Sequence, residues 1–180
     1  MIKQIKLETD FSLFLDADYS QHYGSCISYQ KREQKDIHKT VQGFPESYHE
    51  NNTVIQQLWF TNDQLDYSEL GKKLKIDIVT VSAILQPPGN TVTMHRDTFF
   101  KIKNLYPDDT RLKVRANIFL KDWEPGHFIN YQDQNLEWQT CTHWKQGDGF
   151  IWDHNQLHLS ANSGLVPKYT LQVSGFLSDE

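Results

Sequence analysis

The chain has 180 residues, of which 38% are hydrophobic and 23% are charged, and its net charge is −5. This composition is typical of a folded globular protein rather than a disordered one. The length fits a single domain, residues 1–180, with a sizeable core. This net negative charge does not indicate a basic surface that would bind nucleic acid or an anionic membrane.

Neither the cysteines nor the first residues of the chain indicate export. Cys26 and Cys141 lie far apart and do not have the spacing of a metal-binding pair. We therefore expect reduced thiols rather than a disulfide framework. Residues 1–20 contain no apolar run long enough for a signal peptide, and no stretch approaches the length of a membrane span. We expect a cytoplasmic protein that uses no membrane.

The N-terminal part, residues 1–75, has the weaker pattern. The stretch "QKREQKDIHKT", residues 30–40, is charged and predicts a solvated loop or a short helix. In "YSELGKKLKI", Leu70 and Leu74 are four residues apart and predict a helix, although Gly71 weakens that pattern. We expect helices and extra strands from this part of the chain to pack on a core formed by residues 76–180.

From residue 76 onward the pattern changes to short runs in which apolar and polar residues alternate. The clearest runs are "DIVTVSAIL", "RLKVRANIFL" and "KYTLQVSGF", and turn residues such as "PPGN" separate them. Alternation with period two indicates strands that have one buried face. Several short strands with uneven loops predict a mainly β protein, an antiparallel sandwich or barrel.

The stretch "TVTMHRDTFFK" places two candidate metal ligands close together. If it is a regular strand, His95 and Asp97 share one face with Thr91 and Thr93, while Val92 faces the other way. An imidazole and a carboxylate form two-thirds of the facial triad that holds Fe(II) and leaves coordination positions open. On its own the pair favours an exposed strand face near a turn over a metal site.

A third ligand is available in "HNQLHLSANSGLVPKYTLQV". His158 is the candidate, with His154 as the alternative four residues earlier. A hairpin through the loop that follows His158 would bring Lys168 and Thr170 back beside it. An ammonium and a hydroxyl on one strand face are suited to binding a carboxylate.

The order His-x-Asp, a long gap, a second His and a basic residue ten positions later resembles the Fe(II)- and 2-oxoglutarate-dependent oxygenases. These enzymes have a double-stranded β-helix, a cupin-like jelly roll. The stretch "HWKQGDGFIWDHNQLHLSANSG" is similar to the aspartyl/asparaginyl β-hydroxylase branch. That branch generally has Arg at the position of Lys168, whereas Lys is typical of the prolyl hydroxylase branch. The resemblance covers roughly residues 79–176.

The resemblance implies the roles of the candidate residues. His95, Asp97 and His158 would be the catalytic iron ligands, and Lys168 with Thr170 would bind the distal carboxylate of 2-oxoglutarate. Fe(II), 2-oxoglutarate and O2 would act together to hydroxylate a C–H bond of a peptide or small molecule, with release of succinate and CO2. Asp97 favours hydroxylation, because the halogenases of the family lack this carboxylate.

Arg115 and Asn117 are further candidates for cofactor binding. They lie two residues apart on the less apolar face of a strand. They would contact the proximal carboxylate of 2-oxoglutarate or orient a metal ligand. The alternative is an arginine that faces solvent and an asparagine at a strand edge.

The other histidines and aromatic residues have weaker patterns. His127 and His143 are interpreted as surface or substrate-loop residues. The aromatic residues of this part of the chain would line a substrate pocket or pack in the core; they are Trp123, Phe128, Tyr131 and Trp152.

Two other classes of protein fit parts of the pattern. A cupin-like metalloprotein would bind a divalent ion without 2-oxoglutarate, but it would not need Lys168 and Thr170. A non-enzymatic β-sandwich binding module would contain the histidines and the aspartate by chance. Such a module would show neither stoichiometric metal nor stabilisation by Fe(II).

Overall fold

The computed structural model describes residues 2–19 and 56–178. Residues 30–40 and Cys26, which were considered above, lie outside the described ranges. No helix within these ranges is long and apolar enough to cross a membrane. The helices are α1 (Ser12–Leu15), α2 (Tyr67–Leu74) and α3 (Phe100–Leu105), and the strands are β1 (Ile2–Lys6), β2 (Gln56–Phe60), β3 (Ile76–Gln86), β4 (Asn90–His95), β5 (Lys113–Phe119), β6 (His127–Gln132), β7 (Trp138–Cys141), β8 (Asp148–Asp153), β9 (His158–Asn162) and β10 (Lys168–Leu177).

The described strands form two antiparallel sheets, and from β3 onward the chain alternates between them. The larger sheet has the order β1-β8-β5-β10-β3-β2, and the smaller sheet has the order β4-β9-β6-β7. Strand β3 lies in the larger sheet, β4 in the smaller and β5 in the larger again. The exchange continues to β10, with β6 and β7 forming an antiparallel pair within the smaller sheet. This winding is a double-stranded β-helix, so the predicted mainly β jelly roll is confirmed.

The alternating apolar residues of the larger sheet pack against N-terminal elements. Val114 and Ala116 of β5 belong to the same buried cluster as Leu171 of β10. Residues in and next to α1 and in α2 also belong to this cluster, so they cover the outer face of the larger sheet. Those residues are Leu7, Phe11, Phe14, Tyr19, Leu70 and Leu74.

The polar residues of the same strands face the space between the two sheets. Gln172 of β10 lies opposite Asn117 of β5 and Ser82 of β3. Ser174 of β10 lies opposite Arg115 in the same way. Buried polar side chains need partners or a ligand, so this polar inner face positions the candidate site.

Helix α2 confirms the helix predicted in the N-terminal part, and its ends follow from local chemistry. The Asp66 side chain accepts hydrogen bonds from the backbone N–H groups of Ser68 and Glu69 at 2.8 and 3.0 Å. This is an N-cap, which satisfies donors that the first turn leaves free. A Cβ at Gly71 would lie 2.6 Å from the carbonyl oxygen of Ile76. The glycine therefore allows the helix to lie against the start of β3.

Candidate metal centre

Strand β4 contains a bulge that decides where His95 points. Val92 lies opposite Ser160, and the next pair is His95 opposite His158, so an interval of three residues on β4 matches two on β9. Residues that lie directly opposite share a face, and Ser160 and His158 are two apart on one face of β9. His95 therefore lies on the inner face with Val92. The regular alternation that placed Thr91 on the His95 face is wrong at this bulge.

Asp97 lies just beyond the end of β4 rather than within the strand. Its carboxylate is 5% exposed and accepts hydrogen bonds on both oxygens. Arg115 donates through Nη1 to Oδ1, and the Trp152 indole donates through Nε1 to Oδ2 at 2.8 Å. The same arginine donates through Nε to Ser174 Oγ at 2.9 Å. These contacts hold the carboxylate beside His95, whose Nε2 lies 3.9 Å from Oδ1.

His158 is the first residue of β9, and strands on both sides fix its ring. It lies opposite His95 of β4 and Tyr131 of β6. Its ring centroid is 4.3 Å from the Trp152 ring and 4.3 Å from the His95 ring. Nδ1 lies 3.0 Å from the backbone carbonyl oxygen of Gln156. When Nδ1 carries the proton and donates to this carbonyl, Nε2 keeps its lone pair for a metal.

The structure brings the three predicted ligands together. One donor atom from each of His95, Asp97 and His158 lies within 4.8 Å of the other two, and the described residues contain no second such group. His154, the alternative ligand, is exposed and does not belong to the group. Two imidazoles and one carboxylate are the donor set of a facial triad, so the residues present fit Fe(II) or a similar divalent ion.

The electrostatics of the group favour metal binding. Burial by itself would raise the pKa of Asp97, but Arg115, the two histidines and the Trp152 N–H lower it to about 2. Burial lowers the pKa of His158 below its ordinary value. At neutral pH the site therefore presents an ionised carboxylate and a neutral imidazole, the forms that bind a metal.

Lys168 lies at the start of β10 and is 3% exposed. Its Nζ donates to Ser160 Oγ at 2.6 Å, to the Ala161 carbonyl at 2.9 Å and to the Phe128 carbonyl at 3.2 Å. These acceptors belong to the smaller sheet, so the side chain crosses the space between the sheets. Burial lowers the pKa of Lys168 to about 7.

The other three predicted cofactor residues also face the space between the sheets. Thr170 follows Lys168 by two residues on β10 and is buried, as is Asn117 of β5. Asn117 Oδ1 accepts a hydrogen bond from Gln172 Nε2 at 3.1 Å. The Arg115 side chain is 21% exposed and is directed at Asp97, so the alternative of a solvent-facing arginine does not describe it.

The predicted hairpin after His158 is wrong. Strands β9 and β10 belong to different sheets, and the loop that contains Gly164 and Pro167 passes from the smaller sheet to the larger one. Lys168 therefore meets Ser160 across the interior instead of along a shared ladder. The ten-residue spacing between His158 and Lys168 therefore reflects a loop that crosses from one sheet to the other, not a hairpin.

His127 differs from the surface position that the sequence predicted. It is 3% exposed, and its Nε2 lies 2.9 Å from the carbonyl oxygen of Val166. Its place at the start of β6 puts it opposite Asn162 on the inner face. A single histidine between glycine and phenylalanine carried no local signal for this burial.

Trp152, Ser174 and Ser160 complete the surroundings of the site, and no pattern in the sequence indicates their contacts there. Trp152 was considered only as pocket lining or core, and it is both buried and bonded to Asp97. Strand alternation in "DGFIWD" places it on one face with Phe150, but no local pattern encodes the partner of its N–H. The two serines hydrogen-bond to the Arg115 and Lys168 side chains across neighbouring strands.

Comparison with known proteins supports the fold. No family model and no curated protein matches the chain. A prolyl-4-hydroxylase from Pseudomonas putida superposes with a TM-score of 0.55 and 17% identity, covering 98% of this chain and 92% of that one. AviO1 from Streptomyces viridochromogenes gives a TM-score of 0.54 and 13% identity, with 96% and 88% covered.

A third similar structure is the non-heme alpha-ketoglutarate-dependent epimerase SnoN from nogalamycin biosynthesis. Its TM-score is 0.56 at 12% identity, and the match covers 96% of this chain and 76% of that one. Identities this low show the fold alone. The chain has the double-stranded β-helix fold of 2-oxoglutarate-dependent oxygenases, with a His-Asp-His group inside it.

Proposed function

We propose that the chain is an Fe(II)- and 2-oxoglutarate-dependent oxygenase that hydroxylates a C–H bond of a peptide or small molecule. The observation that carries this proposal is the His95, Asp97 and His158 group inside a double-stranded β-helix that also holds a buried lysine. A cupin-like metalloprotein would account for the metal group. It would give no role to Lys168, a buried amine in the interior whose ionised form an anionic ligand would stabilise.

His95, Asp97 and His158 would hold the iron. When bound, Fe(II) supplies open coordination positions at which 2-oxoglutarate and O2 react, with release of succinate and CO2 and oxidation of the substrate. The Gln156 carbonyl would accept the Nδ1 proton of His158 and leave Nε2 free to bind the metal. Arg115 would keep Asp97 ionised and in position. Of the two roles expected for this arginine, it would therefore orient a metal ligand rather than contact 2-oxoglutarate.

Lys168 would bind the distal carboxylate of 2-oxoglutarate, with Thr170 as its hydroxyl partner. Both side chains face the interior from β10, and an ammonium beside a carboxylate in a dry site forms a strong charge-assisted hydrogen bond. Asn117 lies on the same inner face and could donate an amide hydrogen bond to the proximal carboxylate. These residues would exclude water from the co-substrate and fix its orientation.

The first test is succinate formation from 2-oxoglutarate under air, with Fe(II) and ascorbate and without added substrate. We expect slow succinate formation that stops when a chelator removes the iron. The same protein should bind 2-oxoglutarate only when a divalent metal is present. Metal binding without any binding of 2-oxoglutarate would instead favour the cupin-like metalloprotein, and absence of both would favour a binding module.

The affinity for 2-oxoglutarate should fall as the pH rises above about 7, because burial lowers the pKa of Lys168 to about 7 in the ligand-free protein. Above that pH the amine is neutral, so binding of the dianion must take up a proton. The affinity should then drop by about tenfold per pH unit until the raised pKa of the complex is reached. Isothermal titration of the anaerobic Fe(II) protein from pH 6 to 9 measures this slope.

Two variants control this prediction. In Lys168→Arg the cation stays protonated, so any binding that remains should show no such slope. In Lys168→Met the affinity should be low at every pH. The titratable neighbours are His127, whose pKa burial lowers, and Cys141, whose pKa burial raises to about 11. Cys141 is therefore neutral over the tested range, and burial disfavours the charged form of His127. A flat affinity in the wild type would remove Lys168 as the anchor.

A further inference from the structure

We propose that a cavity beside the metal centre binds a carboxylate of the substrate through Arg96, so that the substrate is a small acid that also contains an amide. This inference rests on the proposed function, because it names the substrate class of the same site. The cavity, here the mouth cavity, has a volume of about 700 Å³. It is lined by Arg96 and by residues of β1, β6, the β6–β7 turn, β8 and the β8–β9 turn. Cavities of this size hold ligands of drug-like dimensions.

The mouth cavity adjoins the metal group on two sides. Tyr131, one of its lining residues, lies opposite His158 in the smaller sheet. Gln156, another lining residue, provides the carbonyl oxygen 3.0 Å from Nδ1 of the same histidine. Arg96 is covalently between two of the metal-ligand residues. A molecule in this cavity would therefore contact residues that adjoin the metal group, and it would displace no ligand side chain because none of the three lines the cavity.

Arg96 is the cation of the mouth cavity. Its side chain is exposed, and its Nε donates to the backbone carbonyl oxygen of Asn155 at 3.1 Å. That bond fixes the plane of the guanidinium. Neither Nη amino group has a hydrogen-bond partner among residues 2–19 and 56–178. A fixed guanidinium with free amino groups fits a carboxylate, which it can bind through two parallel hydrogen bonds.

The one carboxylate that lines the mouth cavity, Asp133, is hydrogen-bonded within its own turn. Asp133 accepts hydrogen bonds from the backbone N–H groups of Asn135 and Glu137 at 2.8 and 3.0 Å. It also accepts from Gln139 Nε2 at 2.8 Å. These bonds turn its charge into the β6–β7 turn. Arg96 is the one cation that lines the cavity, and its Nη groups are donors that Asp133 does not use, so an anionic ligand would bind at Arg96.

The rest of the wall indicates an amide in the ligand. Gln4, Gln134 and Asn155 contribute side-chain amides, which donate and accept hydrogen bonds in the same geometry as a peptide group. Ile2 and Phe150 give the cavity an apolar part. A carboxylate beside an amide and an apolar side chain is the chemistry of an N-acylated amino acid or of the C-terminal residue of a peptide.

The probes are N-acetylated amino acids, each as the free acid and as the matching carboxamide. They are titrated calorimetrically into the protein with Fe(II) and saturating 2-oxoglutarate and without O2, so that 2-oxoglutarate already occupies Lys168. We expect at least one acid to bind at least about tenfold more tightly than its carboxamide. Arg96→Gln should remove this preference, and Arg96→Lys should keep part of it because Lys retains the charge without the planar fork.

Lys72→Gln is the matched control, because Lys72 is an exposed cation of α2 that does not line the mouth cavity. This variant should keep the full preference for the acid. Equal affinity for acid and carboxamide, a preference that survives Arg96→Gln, or no binding of any acid would overturn the proposal. The oxygenase class is judged separately, since 2-oxoglutarate binding and succinate formation without substrate do not use the probes.

Discussion

His158→Ala is expected to abolish Fe(II) binding and 2-oxoglutarate turnover while the fold is retained. The substitution removes one of three donor atoms that lie within 4.8 Å of one another. Loss of a residue that only orients a ligand typically costs about 10–100-fold in metal affinity or activity. Loss of the ligand itself should exceed about 100-fold. Iron content after anaerobic reconstitution and succinate formation under air measure the two effects.

The control for this variant is His154→Ala. His154 has the same side chain, lies four residues earlier and is exposed, so its loss should leave iron content and turnover unchanged. A circular dichroism spectrum that matches the wild type would show that His158→Ala still folds. If His158→Ala kept its iron and His154→Ala lost it, the ligand assignment would move to the earlier histidine.

Arg115→Met is expected to destabilise the metal-free protein by about 3 kcal/mol at pH 7. Asp97 is 5% exposed, so removal of the guanidinium leaves a buried carboxylate without its cation. In the wild type the pKa of Asp97 is about 2, so its contribution to stability is present above its ordinary value and is lost as the pH falls toward about 2. Without Arg115, burial should raise this pKa above its ordinary value.

The direction in which stability changes with pH should therefore differ between Arg115→Met and the wild type. Acidification from pH 7 to 5 should stabilise Arg115→Met, because the buried carboxyl can then take up a proton, whereas Asp97 of the wild type stays ionised. Urea denaturation at both pH values measures this difference.

The double variant Arg115→Met with Asp97→Asn should regain part of the lost stability, since it removes the unpaired charge. Added Fe(II) should also stabilise the single variant, because a cation replaces the one removed. Equal stability of Arg115→Met and wild type at both pH values would show that this pair does not hold the site.

The strands and the grouping of the three candidate ligands were predictable, because the strands follow from short patterns and the group from a characteristic spacing. Alternation in "RLKVRANIFL" predicted a strand with one apolar face, and β5 has that strand and that face. The spacing of His95, Asp97, His158 and Lys168 was sufficient to indicate a family, and through it a fold. The residues of an alternating strand are neighbours in the sequence, and the His, Asp and Lys residues of the family pattern recur at a characteristic spacing.

The contacts between strands were not predictable, because they depend on pairings made far along the chain. The apolar face of β5 packs on N-terminal residues outside the barrel, so its polar face turned out to be the inner one. The hydrogen bond from Trp152 to Asp97 joins residues 55 positions apart. The path of the chain after His158 was mistaken for a hairpin because turn residues do not show which sheet the next strand joins.

The bulge between Val92 and His95 makes the number of residues in β4 part of the metal centre. A one-residue deletion there would keep every ligand in the sequence and still turn His95 to the outer face, since the side chains of a strand change sides at each position. A His-x-Asp pair in a strand-like sequence therefore meets only one of two conditions for such a site. The second condition is the number of residues between the histidine and the last regularly paired residue before it, which here is Val92.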